Sequence, residues 1–378
     1  MKDKTIFIIS RHLSPSIGGM QTHIDDMTRE CLKRKYHVIL ASRSFGINNT
    51  KKNHKDISSV KVYGRTSKDE KLLQGIRDYI KQKHISEAVE KTTFSYLVSK
   101  SVIDSTLIMS RHRKSTRLIH AHDIAPLFAA NALYKIFHTP YVATLHTYSL
   151  FEGAKKNKLF IDAMNNASAV FTSSRVIFKE LKDNFSGKVI FFTQWINLQV
   201  FHPIQTERKR VRNNPSNIKI LIIGRSSDEK MFYEAINALS RRKDTDLTLI
   251  GEGFDAERIR KNFVKARIIL GMDNKKLNKY YNEADYTIIP NIISGNIPRT
   301  GMESLASGTP LLMVLPENRG FMPWLKDMKE KKIVSSLKDM RKKDTRTIKL
   351  CRAYAEKNFS RKNSKVIFKE YNRIIKEK

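Results

Sequence analysis

Residues 5–32 read TIFIISRHLSPSIGGMQTHIDDMTRECL and predict a strand, a glycine-containing loop and a helix. The apolar run at the start of this stretch has the length of a buried strand. After Gly18 and Gly19, apolar side chains return on one face of a helix, at Met20, Ile24, Met27, Cys31 and Leu32. Because a strand that leads into a helix is the repeating unit of a parallel sheet, this stretch predicts an α/β fold.

The same pattern recurs along the chain and predicts two domains. Further strands are predicted at 36–41, 118–122, 141–146, 218–223 and 247–250, with a helix at 232–239. Between His202 and Ile218 the apolar pattern lapses, as is typical of a linker. A chain of 378 residues also exceeds what one hydrophobic core usually organises. We therefore predict one Rossmann-like domain over residues 1–205 and a second over residues 206–350.

The composition is strongly basic, with 71 Lys and Arg against 37 Asp and Glu and a net charge of +34. Such a charge attracts phospholipid headgroups, nucleic acid and phosphorylated saccharides alike. The abundance of Lys, Asn and Ile offers a second explanation, a compositional bias of the genome. An amphipathic basic segment between Lys51 and Leu118 fits either an ordinary solvated helix face or a surface that rests on anionic lipid.

Several classes of protein are excluded by the sequence. The apolar runs are far shorter than the roughly 20 residues that a membrane-spanning helix needs. The start of the chain does not resemble a signal peptide, so we expect a cytoplasmic protein. Two distant cysteines argue against a disulfide scaffold, and no Cys/His cluster has the spacing of a zinc site.

Three motifs carry candidate chemistry. Gly18-Gly19 opens a helix, where backbone amides can receive a phosphate, although such a pair also serves as a simple tight turn. Gly224-Arg225 with Lys230 follows the first strand of the second half, where an Arg and a Lys can flank a diphosphate; in a chain this basic the pair also arises by chance. Glu303 stands at a predicted helix start, where its carboxylate could accept two ribose hydroxyls or simply favour the helix dipole.

Taken in order, these motifs resemble the landmarks of glycosyltransferase family 4 and cover nearly the whole chain. Any one of them is weak, whereas the ordered series is specific. The residues that carry the resemblance are Pro15 to His23, Gly224-Arg225 with Lys230, Leu249 to Gly253, Tyr280-Tyr281 with Ala284-Asp285, and Glu303 to Pro310.

The resemblance implies a GT-B fold, with two facing Rossmann-like domains, parallel sheets and an interdomain cleft. It implies an acceptor in the first domain, a nucleotide-sugar mostly in the second, and a last helix, within residues 351–378, that crosses back to the first domain. The catalytic residues it implies are Arg225 and Lys230, at the leaving diphosphate, and His122, against the donor sugar. His146 would lie on the acceptor side. Donor and nucleotide binding would fall to Gly18, Gly19, Gly224, Gly251, Met272, Asn296, Arg299, Thr300 and Glu303.

The sequence also departs from the family pattern. The second glutamate that usually lies eight residues before the Glu303 position is replaced by Gly295, and the glycine that usually follows the Lys230 position is replaced by Met231. Asn296 or Arg299 could hold the sugar instead, and Arg299 could read an acidic or phosphorylated sugar. A divergent donor and an inactive relative are both compatible with these changes.

The resemblance therefore implies a retaining transferase that needs neither a metal nor a cofactor. We expect a nucleotide-sugar donor, and UDP is the commonest nucleotide in the family. We expect a glycan or lipid-linked acceptor at an anionic membrane surface. The product would serve surface polysaccharide or lipopolysaccharide biosynthesis. We expect no nucleic acid partner and a peripheral position on the inner face of the cytoplasmic membrane. The alternatives are an inactive GT-B scaffold and a basic protein that binds anions or nucleic acid.

Overall fold

The computed structural model describes residues 4–11, 13, 18–45, 60–65, 87–204, 217–224, 232–263, 266–289, 297–313 and 323–377. The chain divides into two compact units. The first unit comprises Met1–Phe192 and Ser364–Lys378, and the second comprises Thr193–Asn363. The sequence-based prediction places these boundaries at 205 and 351 instead.

The first unit is built on a parallel sheet of seven strands in the order β3-β2-β1-β4-β5-β6-β7. The chain starts in the middle of this sheet and reverses direction between β1 and β4, which is the doubly wound Rossmann order with one added strand. The strands are β1 (Thr5–Ser10), β2 (His37–Phe45), β3 (Val60–Arg65), β4 (Thr116–His122), β5 (Tyr141–Leu145), β6 (Ala169–Thr172) and β7 (Val189–Phe191). The helices are α1 (Gly19–Lys33), α2 (Glu87–His112), α3 (Ile124–Phe137), α4 (Tyr148–Ala154), α5 (Lys158–Asn165) and α6 (Arg175–Asn184).

The second unit repeats this architecture with six parallel strands in the order β10-β9-β8-β11-β12-β13. Its reversal lies between β8 and β11. The strands are β8 (Ile218–Ile223), β9 (Thr245–Ile250), β10 (Arg267–Ile269), β11 (Tyr286–Ile288), β12 (Leu311–Met313) and β13 (Val334–Ser336). The helices are α7 (Phe232–Ser240), α8 (Ala256–Asn262), α9 (Leu277–Glu283), α10 (Arg299–Ala306), α11 (Pro323–Glu330) and α12 (Thr345–Asn358).

The central strands are buried on both faces, which explains their continuous apolar sequence. All six residues of β1 are buried, and so are all five of β5. In a parallel sheet covered by helices on both sides, a strand needs no polar face. The strand predicted at residues 218–223 has the bounds of β8. The apolar run that opens residues 5–32 forms β1.

The segment that follows β7 belongs to the second unit because its apolar side chains are buried there. Ile196 and Phe201 lie in the core of the second unit. The Ile196 amide also donates a hydrogen bond of 3.1 Å to the carbonyl of Phe359, which lies in the same core. The change of unit therefore falls earlier than the polar stretch after His202 suggests.

The C-terminal region forms two helices, whereas the resemblance implies one last helix within residues 351–378. Helix α12 ends at Asn358, and a 3-10 turn at Arg361–Ser364 precedes α13 (Lys365–Lys376). Phe359 interrupts the helix because its side chain is buried in the second unit, whereas α13 belongs to the first. The last helix thus returns to the first unit, as expected.

No helix within the described ranges is long and apolar enough to cross a membrane. The basic segment predicted between Lys51 and Leu118 lies partly outside the described residues, including Lys81 and Lys83.

Candidate active site

The candidate residues of the first unit gather at the carboxyl edge of its sheet. His122 is the last residue of β4 and stands opposite Ser10, the last residue of β1. His146 follows the last residue of β5 directly. The chain reverses between β1 and β4, and in doubly wound sheets the crevice at this reversal is where ligands bind.

Gly18 and Gly19 form the N-terminus of α1 at the same edge. The Gly18 carbonyl accepts hydrogen bonds from the Thr22 amide (3.2 Å) and the Thr22 hydroxyl (3.0 Å). No side chain caps this helix end in the described part of the chain, and Gly19 is exposed. An uncapped helix N-terminus leaves its first amides for an anion, which suits the predicted contact with a diphosphate.

Three histidines, His23, His122 and His146, form what we call the histidine cluster. The His122 and His146 rings lie nearly parallel with centroids 5.3 Å apart, and the His23 ring lies 5.8 Å and 5.2 Å from them. His122 Nδ1 and His146 Nε2 are 3.0 Å apart, so one ring donates a hydrogen bond to the other. His23 and His122 are buried, while His146 is partly exposed. The sequence predicted roles for His122 and His146 and none for His23.

A fourth histidine, His120, lies beneath the cluster and joins it to the last helix. Its ring centroid is 4.1 Å from that of His122. Its Nδ1 is 2.5 Å from the Tyr371 hydroxyl on α13, and its Nε2 is 2.7 Å from the Thr144 hydroxyl. These two bonds fix the ring against which His122 packs. Sequence reasoning missed His120 because nothing distinguishes it from His122 two residues later.

Burial makes these imidazoles neutral. It lowers the pKa of His120 to about 3, and the nearby His146 adds to this effect. Burial also lowers the pKa of His122 well below its usual value, helped by His120, His146 and His23. For His146, burial lowers the pKa although the Asp123 carboxylate opposes the shift. At neutral pH these uncharged rings can donate a hydrogen bond to a substrate or accept one from it.

Asp123 holds the segment that carries His146. Its carboxylate accepts hydrogen bonds from the amides of His146 (3.1 Å) and Thr147 (3.3 Å) and from the Thr147 hydroxyl (2.8 Å). Asp123 is buried and has φ 74°, a conformation that costs a residue with a side chain about 1–3 kcal/mol. Such backbone strain persists where the surrounding structure imposes it. Here the three hydrogen bonds that the Asp123 carboxylate accepts impose it.

In the second unit, Gly224 and Gly251 end two neighbouring strands where the backbones touch. The Gly224 amide donates to the Ile250 carbonyl at 3.0 Å. A Cβ on Gly251, whose φ is +149°, would lie 1.8 Å from the Gly224 carbonyl oxygen. Only glycine fits at Gly251, because the Gly224 carbonyl oxygen occupies the space that a side chain would take.

Glu303 lies in a buried network in which both of its oxygens are bonded. Oε1 accepts from Arg299 Nε (3.2 Å) and Asn274 Nδ2 (3.2 Å), and Oε2 accepts from the Tyr281 hydroxyl at 3.1 Å. Glu303 is 2% exposed and Arg299 8%. A further bond of 3.3 Å runs from Arg299 to the Trp195 carbonyl. Burial, and then the Glu303 charge, raise the pKa of Tyr281 well above its usual value, which keeps the hydroxyl protonated as a donor.

The structure corrects the predicted helix start at Glu303. Helix α10 begins at Arg299, and its first turn contains no acidic residue. Glu303 therefore lies beyond the first turn, where the helix dipole no longer explains the presence of an acidic residue. Arg299 is bonded to Glu303, so its observed role is to hold that carboxylate.

The remaining predicted residues are placed as follows. Met272 is partly buried against the core of the second unit, and Thr300 is half-buried on α10. Arg225, Lys230, Met231, Gly295 and Asn296 lie outside the described residues.

Residues 17–191 match the family model of Glycosyltransferase Family 4. The matched region, 175 of the 378 residues, is similar to that family. It covers Gly18, His122 and His146. No curated protein matches the sequence.

Solved glycosyltransferases share the fold of both units. Sucrose-phosphate synthase from Thermosynechococcus elongatus superposes with a TM-score of 0.74 at 16% identity, covering 99% of this chain and 100% of that one. HepE of Anabaena, in complex with UDP-glucose, gives 0.63 at 12% identity, covering 99% and 98%. The catalytic domain of starch synthase IV from Arabidopsis thaliana, bound to ADP and acarbose, gives 0.63 at 12% identity, covering 98% and 99%. The chain therefore has the two-domain α/β fold of the GT-B class.

Proposed function

We propose that the protein transfers a sugar from a UDP-sugar to a membrane-associated, lipid-linked or phosphate-rich glycan acceptor and retains the configuration of the transferred sugar. The observation that carries the donor proposal is the likeness to HepE over 99% of this chain, because that structure contains UDP-glucose. The product would serve the assembly of surface polysaccharide or lipopolysaccharide.

The reaction requires that the negative charge on the departing diphosphate be stabilised. Arg225 and Lys230 would supply two positive charges, and the uncapped N-terminus of α1 at Gly18 and Gly19 would supply amide dipoles. Charges fixed in place before the reaction need no reorganisation when the bond breaks, so the protein can act without a metal or a separate cofactor.

The neutral His122 would bind a hydroxyl of the donor sugar, and His146 would lie towards the acceptor. Glu303 would bind the ribose. A carboxylate has about four acceptor positions, and the bonds from Arg299, Asn274 and Tyr281 take three of them, so binding both ribose hydroxyls would displace at least one of these bonds. These bonds hold the carboxylate in one orientation before the nucleotide arrives.

A membrane-associated acceptor is supported by an exposed apolar surface on adjacent helices of the first unit. Ile103 and Leu107, one turn apart on α2, are 59% and 57% exposed, and Ile136 on α3 is 53% exposed. Helices α2 and α3 pack together, and exposed Arg111 and Lys135 accompany these side chains. Apolar side chains among basic ones suit the interface of an anionic membrane, as does the net charge of +34.

Transfer of radiolabelled sugar from UDP-, GDP- and ADP-sugars, in EDTA, tests this proposal. With membrane lipid extracts as acceptor, we expect label from a UDP-sugar in the lipid fraction and an α-linked product from an α-linked donor. Arg225→Ala should lower the rate by about 10²–10³, the usual effect of removing one such group. The exposed Arg241→Ala serves as the matched control and should leave the rate unchanged.

Each part of the proposal can fail separately in this assay. A β-linked product would contradict retention, and label found only in soluble glycans would contradict the lipid-linked acceptor. The absence of transfer from every donor to any acceptor would favour the inactive scaffold.

A further inference from the structure

We propose that the histidine cluster binds one divalent ion of the zinc, cobalt and nickel class. The ligands would be His23, His122 and His146, each with one ring nitrogen that lies within 4.8 Å of the other two. Two imidazoles on one tetrahedral zinc ion, with Zn–N bonds of about 2.0–2.1 Å, have nitrogens roughly 3.3 Å apart. His122 Nδ1 and His146 Nε2 already lie 3.0 Å apart, so ring rotations and a modest approach of His23 would complete the site.

The ligand set determines which ions the site takes. Three imidazole nitrogens with no carboxylate among them suit zinc, cobalt, nickel and copper, and disfavour magnesium and calcium. Three protein ligands also leave the fourth position of a tetrahedral ion for water or a substrate group. His146 is partly exposed, which gives an ion a route to the two buried rings.

The cluster also contains a buried polar atom without a hydrogen-bond partner in the described part of the chain. His122 Nε2 is buried, and no hydrogen-bond partner for it occurs among the residues that the structure describes. Buried polar atoms almost always have a partner, and a native exception calls for an explanation. An ion bound through this nitrogen would provide one.

The supporting residues hold two of the three ligands in place. Asp123 bonds the backbone amide of His146, and His120 packs against His122 while bonded to Tyr371 and Thr144. The third ligand, His23, lies on α1. Metal sites depend on such outer contacts to orient their ligands.

The expected consequence is inhibition of transfer, and this step rests on the proposed function. If His122 binds the donor sugar, an ion on His122 occupies that position. Zinc should therefore inhibit the transferase, and EDTA should restore it, while the reaction itself needs no metal.

Titration of the untagged protein with Co²⁺, without any nucleotide, tests the site. We expect one Co²⁺ per chain, with the visible absorption of four- or five-coordinate cobalt and displacement by Zn²⁺. His23→Gln and His146→Ala should each abolish this signal. His202→Ala, which removes an exposed histidine of the second unit, and Glu303→Gln, which alters the donor site, should both retain it.

The outcomes separate the metal site from the proposed function. A melting temperature measured in EDTA shows whether each variant is folded. If His146→Ala does not fold, His23→Gln provides the test. Absence of saturable Co²⁺ binding, or binding retained in folded His23→Gln, would overturn the metal site. Cobalt binding without inhibition by zinc would keep the site and refute the position of His122 at the donor sugar.

Discussion

Glu303→Ala should lower the free energy of unfolding of the second unit by about 3–5 kcal/mol, because it strands a buried guanidinium. Arg299 is 8% exposed, and its Nε lies 3.2 Å from Glu303 Oε1. The Tyr281 hydroxyl and the Asn274 amide lose an acceptor in the same variant. Urea unfolding of the variant, followed by a probe in the second unit, measures the effect.

An exposed pair with the same spacing provides the control. Lys279 and Glu283 lie four residues apart on α9 with a distance of 3.9 Å, and the Lys279 side chain is 75% exposed. Glu283→Ala should change the free energy of unfolding by less than about 1 kcal/mol. The double variant Arg299→Ala/Glu303→Ala should cost less than the sum of its single changes, because neither charge is left alone. A loss below 1 kcal/mol in Glu303→Ala would show that the buried pair is not formed as described.

Acid should destabilise the first unit steeply below pH 6.5. The unfolded chain titrates its histidines near pH 6.5, whereas His120, His122 and His146 have lowered pKa values in the folded protein. Between these values the unfolded state binds protons that the folded state does not. The stability is thus fully present above pH 6.5 and is lost as the pH falls towards the folded pKa values.

The expected size follows from His120 and His122, whose folded pKa values lie well below the unfolded value. Each contributes about 1.4 kcal/mol between pH 7.5 and 5.5, so this change should cost roughly 3 kcal/mol, and the lowered pKa of His146 adds to the loss. Such a loss is a large part of the 5–15 kcal/mol that usually separates folded from unfolded states. Urea unfolding across this pH range, in EDTA, measures it.

The pH slope distinguishes the cluster from general acid effects. His120→Asn should reduce the slope by about 1.4 kcal/mol per pH unit, whatever it does to stability at pH 7.5. His202→Gln, at an exposed position of the second unit, should leave the slope of the first unit as it is. An unchanged slope in His120→Asn would contradict the neutral state of that ring.

The fold could be predicted where local pattern and tertiary environment agree. Strands β1 and β8 are short apolar runs between polar residues, and each is buried in the middle of a sheet. The break in the C-terminal region could not be predicted in this way. Phe359 fits the apolar period of one long helix, and only its burial in a different unit from α13 ends the first helix.

The candidate site was predictable residue by residue but not as an arrangement. His122 and His146 could be found because each ends or follows a predicted strand and matches a family landmark. Their approach to His23 depends on the order of strands in the sheet, which brings residues about 100 or more positions apart to one edge. The Tyr280-Tyr281 landmark acquired its physical reason only from the structure, in which Tyr281 donates to Glu303.

Binding of a nucleoside diphosphate is the most direct test of the account. We expect UDP, in EDTA, to raise the melting temperature, with a gain in apparent stability of about 2.7 kcal/mol at a hundred times its dissociation constant. Arg225→Ala should abolish this gain, and Arg241→Ala should keep it. A preference for GDP, ADP or CMP would contradict the proposed base, and a protein that none of these nucleotides stabilises would contradict the donor site altogether.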